Sequence, residues 1–173
     1  MADAFWVHGN AAQVQLPTDL VNIAVTGPGL TASAAASKFG WIHIPLPTPT
    51  VIDDVRAVIT AFHLDAVFSN PNASIDQLVL YDGQTQVYSS TNSYGDGSLV
   101  LTVNLPTPHS VSSGIGLSIH FGFLWGVKGT TPPADDFVSI TIRAAGADYT
   151  YQAPLEKAAI PGLAGESAAA TKK

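Results

Sequence analysis

The chain has 173 residues, no cysteine and a formal net charge of −6 at pH 7, and only 12% of its residues are charged. This length is typical of one domain that buries a core without disulfide bonds, and the lack of cysteine excludes thiol catalysis and cysteine-bound zinc. Because no cluster of basic residues is present to attract phosphate groups, nucleic acid is not an expected partner.

Short runs of apolar or alternating residues recur along the chain, and no window keeps the period of a helix. Residues that favour turns lie between them, as at 70–72 (Asn-Pro-Asn), 82–83 (Asp-Gly) and 95–97 (Gly-Asp-Gly). The predicted strands are, in chain order, 5–8, 13–16, 21–26, 39–44, 57–68, 77–81, 86–89, 98–104, 116–127, 137–143 and 148–152. This succession predicts an all-β fold, an antiparallel β-sandwich resembling a jelly roll.

An internal repeat adds to this expectation. The tetrapeptide Leu-Pro-Thr-Pro occurs at 46–49 and again at 105–108, each time after a predicted strand. Each copy is followed by a histidine between two apolar residues, His63 in the first series and His120 in the second. The repeat predicts a sandwich of two similar halves, with the proline-rich segments at strand ends or sheet corners because proline cannot donate to a ladder.

The composition changes at residue 153 to alanine, glycine, glutamate and lysine. We therefore predict a β-sandwich domain over residues 1–152 and a flexible or docking Ala-rich C-terminal tail over residues 153–173. No secretory signal is seen at residues 1–4, so a cytoplasmic location is expected. The uncharged stretch 105–127 is interrupted by prolines, serines and histidines, and we predict no membrane span.

Low charge combined with 46% hydrophobic residues indicates apolar surface that a monomer would leave in water. The main hypothesis is therefore a homo-oligomer, a non-enzymatic, self-associating β-sandwich that serves as a structural or binding module. The alternative is a monomer whose surface is rich in serine, threonine, asparagine and glutamine.

Aromatic residues are the candidates for ligand binding. Trp6, Trp41, Tyr81 and Tyr94 have polar neighbours in the sequence, and exposed rings of this kind stack on sugars or anchor a protein interface. Core packing is the alternative for each ring. A carbohydrate-binding jelly roll, with glycan as the partner, is thus the second functional hypothesis.

Aspartates are concentrated in or beside predicted turns, at Asp53, Asp54, Asp76, Asp82, Asp96, Asp135, Asp136 and Asp148. Carboxylates on loops are the ligands that calcium prefers, so the carbohydrate-binding hypothesis includes calcium dependence. Aspartate also favours turns without any metal, and the D-x-[DN]-x-[DN]-G spacing is absent.

The third hypothesis is an enzyme with a site of histidine and aspartate. The histidines His43, His63 and His120 fall on separate predicted strands, without an HxH or HExxH spacing. The chain also lacks a GxSxG elbow and a GxxxxGK[ST] phosphate loop. We therefore predict no catalytic residue, no cofactor and no transition metal.

Three segments resemble a family of small uncharacterised bacterial all-β proteins: Phe5-Trp6-Val7-His8-Gly9, Trp41-Ile42-His43-Ile44-Pro45-Leu46-Pro47-Thr48-Pro49, and Tyr81-Asp82-Gly83. The resemblance covers most of residues 5–152. It implies a bacterial source and one domain, and it implies no activity and no site residue.

Overall fold

The computed structural model describes residues 3–15, 20, 22–34, 38–49, 51–52, 55–123 and 138–151. Its strands are β1 (Asp3–His8), β2 (Gln13–Gln15), β3 (Asn22–Thr26), β4 (Gly29–Ala34), β5 (Lys38–Pro45), β6 (Val51–Ile52), β7 (Val55–Phe68), β8 (Ala73–Asp82), β9 (Thr85–Ser90), β10 (Tyr94–Gly95), β11 (Ser98–Ser110), β12 (Ile115–Phe123) and β13 (Val138–Tyr151). A single turn of 3₁₀ helix, Gly9–Ala11, follows β1. Across the described residues, no helix has the length and apolar character needed to cross a membrane.

Two antiparallel sheets form the sandwich. The first sheet has the order β11-β7-β13-β4-β3, with β1 also paired to β13 and β6 to β7. The second sheet has the order β10-β8-β12-β5-β2, with β9 also paired to β8. The predicted all-β fold class and antiparallel jelly-roll-like sandwich are confirmed.

Alternation along the strands separates the core from the two outer faces. In β12, alternate residues from Ile115 to Phe123 are buried and join the hydrophobic core between the sheets. The residues between them, such as Ser118 and His120, point to the outer face of the second sheet because successive side chains on a strand point to opposite sides. Trp125, which falls in the strand predicted over residues 116–127, lies outside the described residues.

The two similar halves are interleaved. In the first half the strands follow the order β5, β7, β8, and in the second half β11, β12, β13. The middle strand of each half lies between the outer strands of the other half, because the sheets contain the triplets β11-β7-β13 and β5-β12-β8. The two halves therefore have the same strand order, and corresponding strands lie in opposite sheets.

Both Leu-Pro-Thr-Pro segments lie where strand pairing is interrupted. Residues 46–49 come directly after β5. Residues 105–108 lie within β11, at the point where its register with β7 shifts between Asn104 and His109. This position fits the inability of proline to donate to a ladder.

Asp82, at the end of β8, fixes the connection between β11 and β12. Its carboxylate accepts hydrogen bonds from the backbone N–H groups of Ser112, Ser113 and Gly114, from the Ser112 hydroxyl and from His109 Nε2, at 2.7–3.1 Å. Burial alone would raise the pKa of Asp82, but the hydrogen bonds from His109, Ser112 and Ser113 hold this pKa well below its usual range. Asp82 thus anchors a turn as a buried anion.

The predicted tail over residues 153–173 lies outside the described residues, as do Asp53, Asp54, Asp135 and Asp136. The domain boundary at residue 152 accordingly stays a prediction. Within the described residues, no group of three or more histidine, aspartate or glutamate side chains converges in a way that could hold a metal ion.

Candidate functional site

A trough follows β12 on the outer face of the second sheet. Its floor consists of the outward residues Gly116, Ser118, His120 and Gly122, three of which are small. Its walls are the outer faces of β5 and β8, which pair with β12 on either side, so that His120, for example, lies opposite Trp41 of β5. At Gly116 and Ser118 the central strand carries small side chains between larger ones, Pro45 and His43 of β5 and Tyr81 and Val79 of β8, which leaves a depression.

The β5 wall is aromatic. Phe39, Trp41 and His43 point outward because they alternate with the core residues of β5. The Trp41 and His43 rings are parallel within 3°, with centroids 6.4 Å apart. His120 continues the surface from the floor, with its ring centroid 4.9 Å from Trp41 and 5.9 Å from Phe39. We call Phe39, Trp41, His43 and His120 the aromatic band.

Polar neighbours fix the His43 ring. His43 Nδ1 lies 2.9 Å from Ser118 Oγ, and His43 Nε2 lies 3.2 Å from Gln15 Oε1. A neutral ring protonated on Nε2 makes both bonds, donating to the Gln15 amide oxygen and accepting from the Ser118 hydroxyl. Burial lowers the pKa of His43 and so favours this neutral form. His43 therefore acts as an oriented, uncharged aromatic ring.

The His120 ring is fixed from the opposite wall. Its Nδ1 lies 2.5 Å from Asp76 Oδ1. Asp76 belongs to β8, where the register with β12 shifts between His120 and the next residue, and this bulge brings the carboxylate beside the ring. Because the bond to Asp76 uses Nδ1, Nε2 is the ring nitrogen that remains for a ligand.

Two glycines keep the trough open. At one end, a groove of about 380 Å³ lies above Gly116 and is lined by His43, Pro45, Tyr81 and Ser118 among others. A Cβ added at Gly116 would find its nearest neighbour only at 4.0 Å. At the other end, a Cβ at Gly122 would lie 3.8 Å or more from its neighbours. Both ends can therefore accept atoms of a ligand.

The structure distributes the four predicted ligand-binding residues over three places. Trp41 and Tyr81 lie on opposite walls of the trough. Trp6 lies on β1, which belongs to the other sheet. Tyr94 lies on β10 opposite Ile75, and its ring packs against the core. The structure thus brings two of the four together.

Sequence reasoning did not select several other residues that shape the trough, among them Phe39, Gly116 and Gly122. The signal for the floor was present in the alternation Gly116-Leu117-Ser118-Ile119-His120-Phe121-Gly122, in which each outward position except one is small. A strand with large residues on one side and glycine on the other predicts a depression, once its neighbours are known to be aromatic.

The sequence model of a family of unknown function, DUF6623, matches residues 1–148. No curated protein matches the chain.

Several solved structures align with most of this chain at low identity. A carbohydrate-binding module CBM36 in complex with calcium and xylotriose aligns with 84% of this chain and 98% of its own, at 11% identity and a TM-score of 0.38. A carbohydrate-binding module of family 29 aligns with 86% of this chain and 89% of its own, at 10% identity and a TM-score of 0.42. The Agl-KA catalytic domain aligns with 85% of this chain but only 27% of its own, at 9% identity and a TM-score of 0.35. At this level of similarity the three structures carry no information about a ligand.

Proposed function

We propose, from the geometry of the trough, that this protein, which belongs to the family of unknown function DUF6623, is a carbohydrate-binding module. The observation that carries the proposal is the aromatic band, an oriented row of rings on an open sheet face. The face of an aromatic ring carries partial negative charge because of the ring's quadrupole, and the C–H groups on one side of a sugar ring carry slight positive charge. A pyranose therefore stacks on such a band with its hydroxyl groups pointing sideways.

Polar groups for those hydroxyls lie beside the rings. Asp76 and Gln77 lie on the β8 wall, Ser118 on the floor, and Gln13 and Gln15 on β2 beyond the aromatic wall. A few placed polar groups next to an apolar surface are typical of small-molecule sites, in which the polar groups fix the orientation. The trough combines both requirements of a sugar site.

The length and charge of the trough limit the class of glycan that it can bind. The floor covers six residue steps from Gly116 to Gly122, or about 20 Å at about 3.3 Å per residue. An open trough of this length suits several consecutive sugars of an unbranched chain. The Asp76 carboxylate disfavours acidic sugars because like charges repel. We therefore favour a neutral, linear glycan.

The proposed role is non-catalytic. Glycoside hydrolysis commonly uses two carboxyl groups on either side of the scissile bond. Among the described residues of the trough, Asp76 is the single carboxylate, and its Oδ1 is occupied by His120. This geometry favours binding over hydrolysis.

The test is binding of soluble neutral polysaccharides, namely mixed-linkage β-glucan, xylan and galactomannan, with polygalacturonate as the acidic comparison. We expect at least one neutral polymer to retard the protein in affinity gel electrophoresis. Replacing Trp41 by Ala should weaken binding by roughly tenfold or more, as for aromatic hot spots elsewhere. Failure of every neutral polymer to bind would overturn the proposal.

A second variant separates binding from folding. Gly116→Gln fills the groove without removing any packed side chain, and the same change at Gly27 is a matched control because a Cβ there meets nothing within 4 Å. We expect binding to be lost in G116Q and kept in G27Q, with unchanged circular dichroism in both. Full binding by G116Q would exclude the trough as the site.

Self-association is the second candidate function. It is favoured by large hydrophobic side chains that are at least half exposed, among them Phe39 at 68% and Val100 at 76%. These two lie on strands of different sheets, so one interface would cover only one of them. Light scattering decides this candidate, since a mass that stays at the 17.9 kDa of one chain at all concentrations would contradict it.

A further inference from the structure

A histidine–aspartate pair similar to His120 and Asp76 lies on the opposite side of the sandwich. His63 of β7 points to the outer face of the first sheet, where its Nδ1 is hydrogen-bonded to Thr102 Oγ1 at 3.0 Å and its Nε2 lies 2.9 Å from Asp148 Oδ1, outside hydrogen-bond geometry. Like His120, it belongs to the middle strand of its half. Its aspartate partner comes from β13, the strand that corresponds to β8. Each outer face thus carries one such pair.

Trp6 covers the His63 ring. The indole stacks on the imidazole with centroids 5.0 Å apart and planes within 20°. Gly146, which pairs with Trp6 across β1 and β13, makes this approach possible, because a Cβ there would lie 2.8 Å from Trp6 Cδ2. One indole face therefore rests on the imidazole, and because 50% of the residue is exposed, the other face is open. We call Trp6, His63, Thr102 and Asp148 the Trp6 platform.

The surroundings of the indole decide what occupies it. A protein interface needs a broad apolar centre with polar groups at its rim. Here a single ring stands over a polar group of side chains: the Thr102 hydroxyl and the Asp148 carboxylate lie against the imidazole that the indole covers, and the Arg143–Asp65 ion pair lies on the same sheet face. An isolated, oriented ring with acceptors and donors on the same face matches one sugar ring and its hydroxyls.

We propose that the Trp6 platform is a second carbohydrate site, which takes one or two neutral sugar residues on the exposed indole face. The proposal goes beyond the trough and uses the same stacking chemistry on a different set of residues. Because the two sites lie on the outer faces of opposite sheets, one molecule binds two glycan chains. Such bivalency raises the apparent affinity for a surface or a gel of many chains.

The experiment counts the sites. Isothermal titration with cellotetraose, xylotetraose and mannotetraose should give two sites per chain for the wild type with at least one of them. G116Q should keep only the platform site and Trp6→Ala only the trough site, each with one site per chain. Val100→Ala is a matched control that removes another exposed hydrophobic side chain of the same sheet, and it should keep both sites.

Cross-linking gives an independent readout. Wild-type protein mixed with the polymer that it binds should raise turbidity or form a gel, whereas each single-site variant should bind without cross-linking. One site per chain in the wild type, lost in G116Q and unaffected by Trp6→Ala, would overturn the second site and leave the trough proposal intact. Absence of binding to every sugar would overturn both. A fall in mass by light scattering on Trp6→Ala would instead identify the platform as a protein interface.

Trp6→Phe tests whether Trp6→Ala loses binding only because it disturbs the structure. A phenyl ring keeps stacking on His63, so we expect Trp6→Phe to retain two sites with weaker binding at the platform. If Trp6→Phe loses the second site while its thermal unfolding matches that of the wild type, ring stacking is not the binding interaction and the proposal fails.

Discussion

Replacing Asp82 by asparagine should destabilise the fold by about 3–5 kcal/mol at neutral pH. The carboxylate accepts hydrogen bonds at both oxygens, from Ser113 and Gly114 at Oδ1 and from His109 and Ser112 at Oδ2. Asparagine offers one carbonyl oxygen, so its NH₂ group must face at least two of these donors. Each lost hydrogen bond to a charged group removes about 1.5–3 kcal/mol.

The effect of this substitution should depend on pH. The pKa of Asp82 in the folded protein lies below its ordinary value of about 3.9 in an unfolded chain. The carboxylate therefore contributes its full stabilisation above the unfolded pKa, and this contribution is lost as the pH falls towards the folded pKa. Asparagine does not titrate. The difference in unfolding free energy between wild type and D82N should accordingly shrink between about pH 5 and pH 3.

Urea unfolding followed by circular dichroism from pH 7 to pH 3 measures both quantities. Asp96→Asn is the control, since Asp96 is exposed in a turn with φ 71°, a conformation that asparagine also adopts, and it removes the same charge. We expect D96N to stay within about 0.5 kcal/mol of the wild type. A D82N effect below about 1 kcal/mol, or one that is constant across this pH range, would refute the buried-anion reasoning.

Two further predictions concern the first sheet. Gly9→Ala and Gly29→Ala should each cost about 3 kcal/mol or more in thermal unfolding, because a Cβ at either position would come within 2.0 Å of a β13 carbonyl oxygen, whereas Gly27→Ala, with nothing within 4 Å, should be nearly neutral. A small loss of stability in Gly9→Ala would show that β13 can move away from the added Cβ. A double-mutant cycle on Arg143 and Asp65 should give a coupling of about 0.5–1 kcal/mol, because the pair is two-pronged yet partly exposed, and a coupling near zero would place it among surface pairs without effect.

Much of the fold was predictable because alternation and turn chemistry act locally. The hairpin between β8 and β9 shows this, since Asp82 pairs with Thr85 and Gly83 adopts a φ of 59°, which is the position that a two-residue turn reserves for glycine. The strand Gly29–Ala34 was not predicted, because its small residues have no strong strand preference of their own. Pairing with β13 and β3 makes it a strand, and that information is not local.

The trough required the spatial order of the strands, which periodicity along one strand does not contain. Trp41 and Tyr81 were selected separately for their aromatic character and polar neighbours. That they stand on opposite walls depends on β12, far along the chain, entering between β5 and β8. The contact of Asp76 with His120 further depends on a bulge in β8, because strict alternation would pair His120 with Gln77 alone.

The interleaved halves explain how one repeat gives two different faces. Both middle strands present a histidine, His63 or His120, to an aspartate of the corresponding outer strand. The faces diverge through the strands beside these pairs: β1 adds Trp6 above His63 in the first sheet, whereas β5 places Trp41 next to His120 and leaves the floor of the trough open. Substitutions in β1 or β5 can thus reshape either outer face while the histidine–aspartate pairs and the core between the sheets stay as they are.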